Sequence, residues 1–572
     1  MTRTDSAPVA ARTPAEAHAR RTLLLLFITL MVVMLLASLS QMVLSSALPT
    51  LVGELGGAEH LAWVITAYLL ASTITMPVYG KVSDMLGRKP LLIVAVLLFV
   101  AGSVLGGLAT DMTTLITARA VQGLGGGGLM VLSQAAIADV VPARERGKYM
   151  GVMGGVFALS SVAGPLLGGF FTEGPGWRWT FWMNVPLGIL AIVAIVVLMR
   201  LPRPDHAEKP RIDVLGMALL AIATTGVVLI GTWAGSTYAW ASPQILGLAL
   251  GTIVAGTLFV LVERRAAQPV IPLHLFRSRD FVLATVAALL VSVAMFGAIG
   301  YLPTYFQMAA GATATEAGLL MIPMMGALLL TSMITGAVVS RTGRYKLMPI
   351  AGTVVLAIGL GLLGTVTVAT PVALIGVYIG VIGVGLGTSM QIMTLIVQNA
   401  FSHREVGTAT ASHTFFRQVG GSLGSAVVGS VFASRLAGLL AERLPEAAGA
   451  AGSTSSLTPQ LVQSLPDALR VPIVESYNEA LIPIYLVMVP IALLSVMVML
   501  FIREVPLATT IERGIPAESL AEGQLQQPAG DAIAADDATQ DAPAEPARST
   551  ELIGGGRRLA PGTDPADAPR RR

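Results

Sequence analysis

GKVSDMLGRKP, Gly80 to Pro90, decides the fold, because the chain holds a second, worn copy, GAVVSRTGRYK, from Gly336 to Lys346. In each copy a glycine is followed by Asp84 or Ser340, then by Gly87 or Gly343, then directly by Arg88 or Arg344, at the same spacing. Each copy is a short basic turn between two long apolar runs. A basic hairpin repeated in an apolar chain predicts a membrane protein built from two repeats.

Composition agrees. Of 572 residues, 54% are hydrophobic and 12% are charged, with a mean hydropathy of +0.75; soluble domains carry about a quarter charged residues. Apolar runs of roughly 20 residues recur, each long enough to cross a bilayer. The 61 Gly and 33 Pro suit close helix packing and interrupted helices. There is no Cys, which excludes disulfides, thiol catalysis and thiolate metal sites. No metal or cofactor site is expected. The first apolar run is too long for a signal-peptide core and reads as a retained span.

Hydropathy places fourteen spans near 22–48, 61–79, 91–109, 113–138, 148–171, 180–199, 214–232, 244–262, 281–304, 316–339, 347–367, 373–398, 408–434 and 480–502. With a cytoplasmic N-terminus, the tails and inner loops hold 30 of the 36 Lys+Arg, and the outer loops hold Arg178, Arg435, Arg443 and Arg470. That bias supports both the count and the orientation. The duplicated turn falls between spans 2 and 3 and between spans 10 and 11, an even shift, so the repeats run parallel. Gly123, Gly125 and Gly127 recur as Gly383, Gly385 and Gly387, and Gly164 and Gly169 as Gly424 and Gly429, always 260 positions on. The expected organisation is a cytoplasmic tail (1–21), a six-helix bundle (22–199), an inserted helix pair (214–262), a second six-helix bundle (281–502) with a long outer loop (436–479), and a cytoplasmic tail (503–572) too polar to bury a core and expected to be disordered. The closing Arg570-Arg571-Arg572 reads as solvated, with contact to anionic lipid as the other reading.

Four motifs carry a family resemblance. The Gly80–Pro90 turn resembles the loop signature of the major facilitator superfamily. Arg119-Ala-Val-Gln122-Gly123 resembles its span 4 motif, and Gly164-Pro165-Leu-Leu-Gly168-Gly169 the span 5 motif of its antiporters. Trp177 through Asn184 and Pro186, with Trp63 and Tyr68, resembles the fourteen-helix drug:proton antiporters of the EmrB/QacA type. The resemblance covers about residues 22–505. It implies an all-α polytopic fold of fourteen helices, two six-helix bundles plus two inserted helices, and proton-coupled efflux by alternating access. The chain departs from that pattern in span 1, where Ser40 stands in place of the usual acid before Ala47-Leu48-Pro49.

The resemblance implies that Asp84, framed by Gly80, Gly87, Arg88 and Lys89, docks at the start of span 13 near Gly407 to Ala411 and latches one state; the plain alternative is that the basic residues serve topology only. A buried Arg119 costs roughly 2.5–3.5 kcal/mol; by resemblance it lines the central cavity with Gln122 and Gly123 and steers a proton step, while the alternative is a structural arginine on backbone carbonyls. Pro165 removes an N–H, so Gly164-Pro165 is expected to break its helix, with Gly168 and Gly169 letting a neighbour approach. His413 and Arg417 lie one turn apart; they carry a proton, make an interhelical hydrogen bond, or attract an anionic group. Ser40, Gln41, Trp182, Asn184, Tyr301 and Gln307 are candidate cavity residues, and Met321 to Met325 a candidate adaptable wall.

No catalytic constellation appears, so the chain is read as a non-enzyme, and the span 4 glycines lack the strand–helix context and lysine of a nucleotide loop. The expected partners are a small-molecule substrate, protons and membrane lipid, with no nucleic acid, in a monomer at the cell membrane. Two other readings stay open: an exporter of an endogenous lipid, siderophore or secondary metabolite, anionic in one form, and a membrane scaffold or sensor that does not transport.

Overall fold

The computed structural model describes residues 14–55, 60–199, 213–235, 238–402, 404–444 and 459–509. Four expectations lie outside these residues: the N-terminal tail through residue 13, the basic loop 200–212, the middle of the outer loop (445–458), and the C-terminal tail from residue 510 with its closing arginines.

The described residues form helices and connecting turns. The first group is α1 (Pro14–Leu55), α2 (Leu61–Leu86), α3 (Arg88–Gly107), α4 (Met112–Val140), α5 (Ala143–Glu173), α6 (Trp179–Trp182) and α7 (Asn184–Leu198). Then come α8 (Val214–Trp233) and α9 (Pro243–Glu263). The last group is α10 (Arg279–Ile299), α11 (Leu302–Ala309), α12 (Ala314–Leu319), α13 (Ile322–Thr342), α14 (Leu347–Leu363), α15 (Val372–Asn399), α16 (Val406–Arg443), α17 (Pro459–Ser464) and α18 (Asp467–Leu500). Among the described residues thirteen helical stretches are long and apolar enough to cross a membrane, and α14 is a shorter apolar helix.

Glycine sets the packing register. A Cβ on Gly123 or Gly127 would run into Tyr68 or Ser72 of α2, and one on Gly125 into Phe99 of α3. In the second group, Gly383 and Gly387 of α15 meet Met324 and Leu328 of α13, and Gly385 meets Gly352 and Leu356 of α14. The same three positions thus seat the central helix of each group on its two neighbours, because small residues let helix backbones approach. The buried apolar side chains follow the grouping: one large set comes from α1–α7, the other chiefly from α10–α18. A smaller set, Leu220, Val270, Ile271 and Phe415, joins α8 to α16.

Two boundaries differ from expectation. Helix α1 begins at Pro14, inside the expected tail. The expected outer loop 436–479 is largely helical, since α16 runs to Arg443 and α18 starts at Asp467. The two extensions hold each other. Leu436, Leu440, Ile473 and Tyr477 bury apolar faces, Arg443 pairs with Glu479, and Arg435 Nη2 donates to the Glu479 carbonyl at 3.3 Å.

Candidate functional site

The two copies of the basic turn lie at one end of the bundle, and each reaches across to the other helix group. Gly87 is the only residue between α2 and α3, at φ 91°, a left-handed conformation that glycine adopts without steric cost. The single-residue turn aims both flanks. Lys89 Nζ donates to the carbonyls of Val196 (2.8 Å) and Met199 (3.0 Å), where α7 leaves its last carbonyls open. Asp84 points the other way. Its Oδ2 accepts from Thr408 N at 2.7 Å and from Thr408 Oγ1 at 2.5 Å. Glu405 at the α16 N-cap makes no side-chain capping bond, so a carboxylate from another helix satisfies the open N–H of the first turn and meets the positive end of the helix dipole. Arg88 Nη2 stands 2.6 Å from Asp84 Oδ1, and Arg88 Nε donates to Asp139 Oδ2 at 3.1 Å. A buried carboxylate and a buried guanidinium are thereby neutralised in place. Gly80 completes the fit, since a Cβ there would meet the Gly407 carbonyl and Ala411.

The second copy repeats the arrangement in weaker form. Gly343 is at φ 72°, and Gly336 packs on Gly147 of α5 as Gly80 packs on Gly407. Ser340 Oγ accepts from Lys148 N at 3.3 Å. Lys148 stands 260 positions before Thr408, so both copies touch the corresponding point of the opposite group. The second copy thus makes a contact of its own, through the neutral Ser340 hydroxyl and through Arg144, which donates to the carbonyls of Ser340 (3.4 Å) and Arg341 (3.2 Å), where the first copy uses a carboxylate. The reason lies in where each helix starts. Helix α5 begins at Ala143, so Lys148 N lies inside the helix; α16 begins at Val406, so Thr408 N lies in its open first turn. Only the second needs a carboxylate. Arg146 of α5 donates to the carbonyls of Val141 (2.8 Å), Ala138 (2.8 Å) and Gln398 (3.3 Å), tying α4 to α15.

Between the two groups lies a cavity of about 250 Å³ lined by α1, α2, α4, α5, α10, α13, α15 and α16. Six methionines line it: Met34, Met42, Met130, Met153, Met295 and Met390. Gln41, Gln134, Gln391 and Gln418 add amides, and Arg417 is its one charged lining residue. Of the sequence candidates, Gln41 and Arg417 face this cavity. The methionines and three of the glutamines were missed. Met at every helix reads as ordinary core, and only the rotation of each helix tells which side faces inward.

The remaining candidates lie elsewhere. Arg119 is 2% exposed and off the cavity. Its Nε donates to the Val64 carbonyl at 3.2 Å, its Nη1 bonds Gln122 Oε1, and its guanidinium stacks 4.2 Å from the centroid of the Tyr68 ring. Gln122 Nε2 donates to Ser40 Oγ (3.1 Å) and Ser103 Oγ (2.8 Å), and Asn184 Nδ2 donates to Ser40 Oγ at 3.1 Å. Ser40, Gln122 and Asn184 thus form a buried knot among α1, α3, α4 and α7, and Gly123 is a packing contact to α2. Cavity placement is corrected for all five: every polar atom of Arg119 that finds a partner finds it within the first group. His413 is fully buried behind Arg417, with Nδ1 3.3 Å from Thr285 Oγ1.

The span 5 motif forms one continuous helix through Pro165, so the expected break is absent; a single lost N–H does not outweigh the flanking turns. A Cβ on Gly164 would clash with Met42 of α1, and Pro165 packs near Gly318 of α12. Gly168 is buried, whereas Gly169 has nothing near its Cα face. Trp182 packs over Gly107, Tyr301 against Phe432 (5.6 Å), and Gln307 Nε2 donates to the Pro303 carbonyl at 3.3 Å. These three close the end opposite the basic turns and do not line the cavity. Met321 and Met324 are likewise buried away from it. At that opposite end Glu54 accepts from Trp177 Nε1 (2.7 Å) and Arg178 Nη1 (2.5 Å), and the Arg178 bond, with the Trp177 bond behind it, holds its carboxyl below the usual range.

Comparison with known proteins agrees with this architecture. An uncharacterized MFS-type transporter of Mycobacterium tuberculosis is 41% identical over 505 residues, covering 88% of this chain and 72% of that protein. Multidrug transporter protein MdtP of Bacillus subtilis is 34% identical over 481 residues, covering 82% and 88%. In structure, the human organic anion transporter MFSD10 aligns with a TM-score of 0.54 at 14% identity, covering 85% of this chain and 100% of that one. The proton:xylose symporter XylE aligns at 0.53 and 17%, covering 85% and 97%. Residues 30–425 match the Major Facilitator Superfamily, and the chain belongs to that family.

Proposed function

We propose that this protein exports amphiphilic small molecules across the cell membrane by alternating access, driven by the proton gradient. As a family member it is a membrane transporter and not an enzyme. In the proposed cycle the groups 22–199 and 281–502 rock as two units about the central cavity, with 214–262 as an inserted pair and the basic turns on the cytoplasmic side. The observation that carries the reading is the cavity between the groups, with the Asp84–Thr408 contact joining them at the basic end. Release of Asp84 from α16 frees the cytoplasmic mouth; its reformation seals it. The relatives named multidrug transporter protein and multidrug resistance protein support drugs as substrates. Two buried titratable groups meet α16, Asp84 at its start and His413 two turns on, and a proton on either would change the charge balance there. The protein is read as a monomer whose termini are cytoplasmic.

The test is dye efflux from cells expressing the chain, with and without an uncoupler. Efflux that the uncoupler abolishes supports the reading. Efflux unaffected by it removes the proton from the mechanism, and no efflux with any of several amphiphilic dyes overturns export.

A further inference from the structure

The cavity has a charge and no counter-charge. Among the described residues Arg417 is the one charged residue lining it, no carboxylate lines it, and the guanidinium makes no hydrogen bond or ion pair. The buried arginines elsewhere in the spans are satisfied: Arg88 by Asp84 and Asp139, Arg119 by a carbonyl, an amide and an aromatic face, Arg146 by three carbonyls. Arg417 is eleven residues into α16, roughly 16 Å along the helix axis. That depth is about half the ~30 Å hydrocarbon core, where an unpaired cation is most costly. The second feature is the opposite wall. The positions of α5 that correspond to Arg417 and His413 are Phe157 and Met153, and both line the same cavity. One repeat therefore presents a cation with the Gln418 amide beside it; the other presents a ring and a thioether. The Gln134 and Gln391 side-chain oxygens are buried without a partner, leaving amides free to bond neutral polar groups.

We infer that the cavity takes anionic amphiphiles, with a carboxylate or sulfonate on Arg417 and an apolar body against Met153, Phe157 and the other methionines. The inference rests on the export reading for its physiological meaning, but binding can be tested apart from transport. At about 250 Å³ the cavity falls just below the ~300–1,000 Å³ typical of ligand pockets, so the ligand is compact: one head and a fused-ring or short-chain body. Methionines adapt their shape to such bodies, which gives breadth in the body and selectivity in the head.

The experiment uses the full-length protein in nanodiscs, titrated with 1-anilinonaphthalene-8-sulfonate and with N-phenyl-1-naphthylamine, the same apolar frame without the anion. Empty nanodiscs give the lipid background. The anion is expected to bind at least about tenfold more tightly, as a hydrogen bond to a charged group contributes. Arg417→Gln is expected to lower the anion-to-neutral ratio by about tenfold, and Arg417→Lys to keep most of it. Gln418→Glu, which supplies an internal carboxylate, is expected to abolish the preference and serves if Arg417→Gln does not fold. Equal affinity for the two probes, or a ratio unmoved by both Arg417→Gln and Gln418→Glu, overturns the inference. In proteoliposomes the two readings separate: anion binding without transport of either probe defeats export and leaves the anion site standing. Transport of the neutral probe with no anion preference defeats the anion site and leaves export standing.

Discussion

Asp84→Asn isolates the charge of the clasp while keeping its shape. Asp84 Oδ2 accepts two hydrogen bonds from Thr408 and its partner oxygen faces Arg88 at 2.6 Å. Bonds to a charged group contribute about 1.5–3 kcal/mol each and neutral ones about 0.5–1.5. The amide oxygen of Asn still accepts, so each bond loses about 1–1.5 kcal/mol and the clasp about 2–3 kcal/mol in all. If the contact exists only in the form sealed at the basic end, that form loses a factor of roughly 30 to 150. A population sealed 99 to 1 would then stand at roughly 3 to 1 or lower. The chain lacks Cys, so two introduced cysteines can be labelled cleanly. Leu86 and Ser402, both exposed, flank the contact on the two groups. Electron–electron distance measurement between spin labels at Leu86→Cys and Ser402→Cys should give one dominant short distance in the parent and a second, longer population in Asp84→Asn. An unchanged distribution in a correctly folded Asp84→Asn protein would refute the claim that the carboxylate holds α16.

The neutral contact predicts less: Ser340→Ala should cost under about 1 kcal/mol and leave the same distance distribution nearly unmoved, so a shift as large as that of Asp84→Asn would contradict the assigned asymmetry. Gly87→Ala forces an L-residue into the left-handed region at φ 91° and should cost about 1–2 kcal/mol, read as a lower unfolding temperature in detergent. Glu54 tests the opposite end. Its carboxyl is held below its ordinary value of 4.5 by Arg178 and Trp177, so its contribution is present above that value and disappears as pH falls through the lowered one. Hydrogen-exchange protection of the α1 end and α6 should be flat above about pH 5 and fall in more acid solution, and Glu54→Gln should remove that dependence; a dependence that survives in the variant points to another group.

The sequence disclosed the repeat, the spans and the glycine register because each is a local signal. Hydropathy needs only a window, a basic turn needs only neighbours, and Gly123 to Gly127 repeats as Gly383 to Gly387 whatever the helices do in space. Cavity membership is not local. Met34 and Met130 look like any core methionine until the rotation of α1 and α4 is known. Arg119 shows the limit well: its cost in a membrane is legible, but whether a cavity or a knot of Gln122, Ser40 and Asn184 meets that cost depends on three other helices. The expected break at Pro165 failed for a related reason, since the surrounding turns of α5 and its packing on α1 outweigh one missing N–H. The outer loop failed because Arg443 and Glu479, far apart in sequence, meet in space.

The two repeats are alike in packing and unlike in what they bring to the clasp and the cavity, and on the second group both differences fall on one helix. α16 receives the Asp84 carboxylate at Thr408 and carries His413 and Arg417. Its counterpart α5 receives the Ser340 hydroxyl and carries Met153 and Phe157. Clasp and candidate substrate contact are thus nine residues apart on one rigid element, roughly 14 Å along its axis. A helix held at its first turn cannot tilt without moving Arg417. In the proposed cycle, then, a ligand that prefers one position of Arg417 shifts the Asp84–Thr408 equilibrium by its differential affinity, and by linkage the clasp shifts ligand affinity by the same factor. No chain of intermediaries is needed, because both sites bias the orientation of a single helix. Helix α5 receives a hydroxyl in place of the carboxylate and presents Met153 and Phe157 to the cavity in place of His413 and Arg417, so it can follow the motion but has little means to drive it.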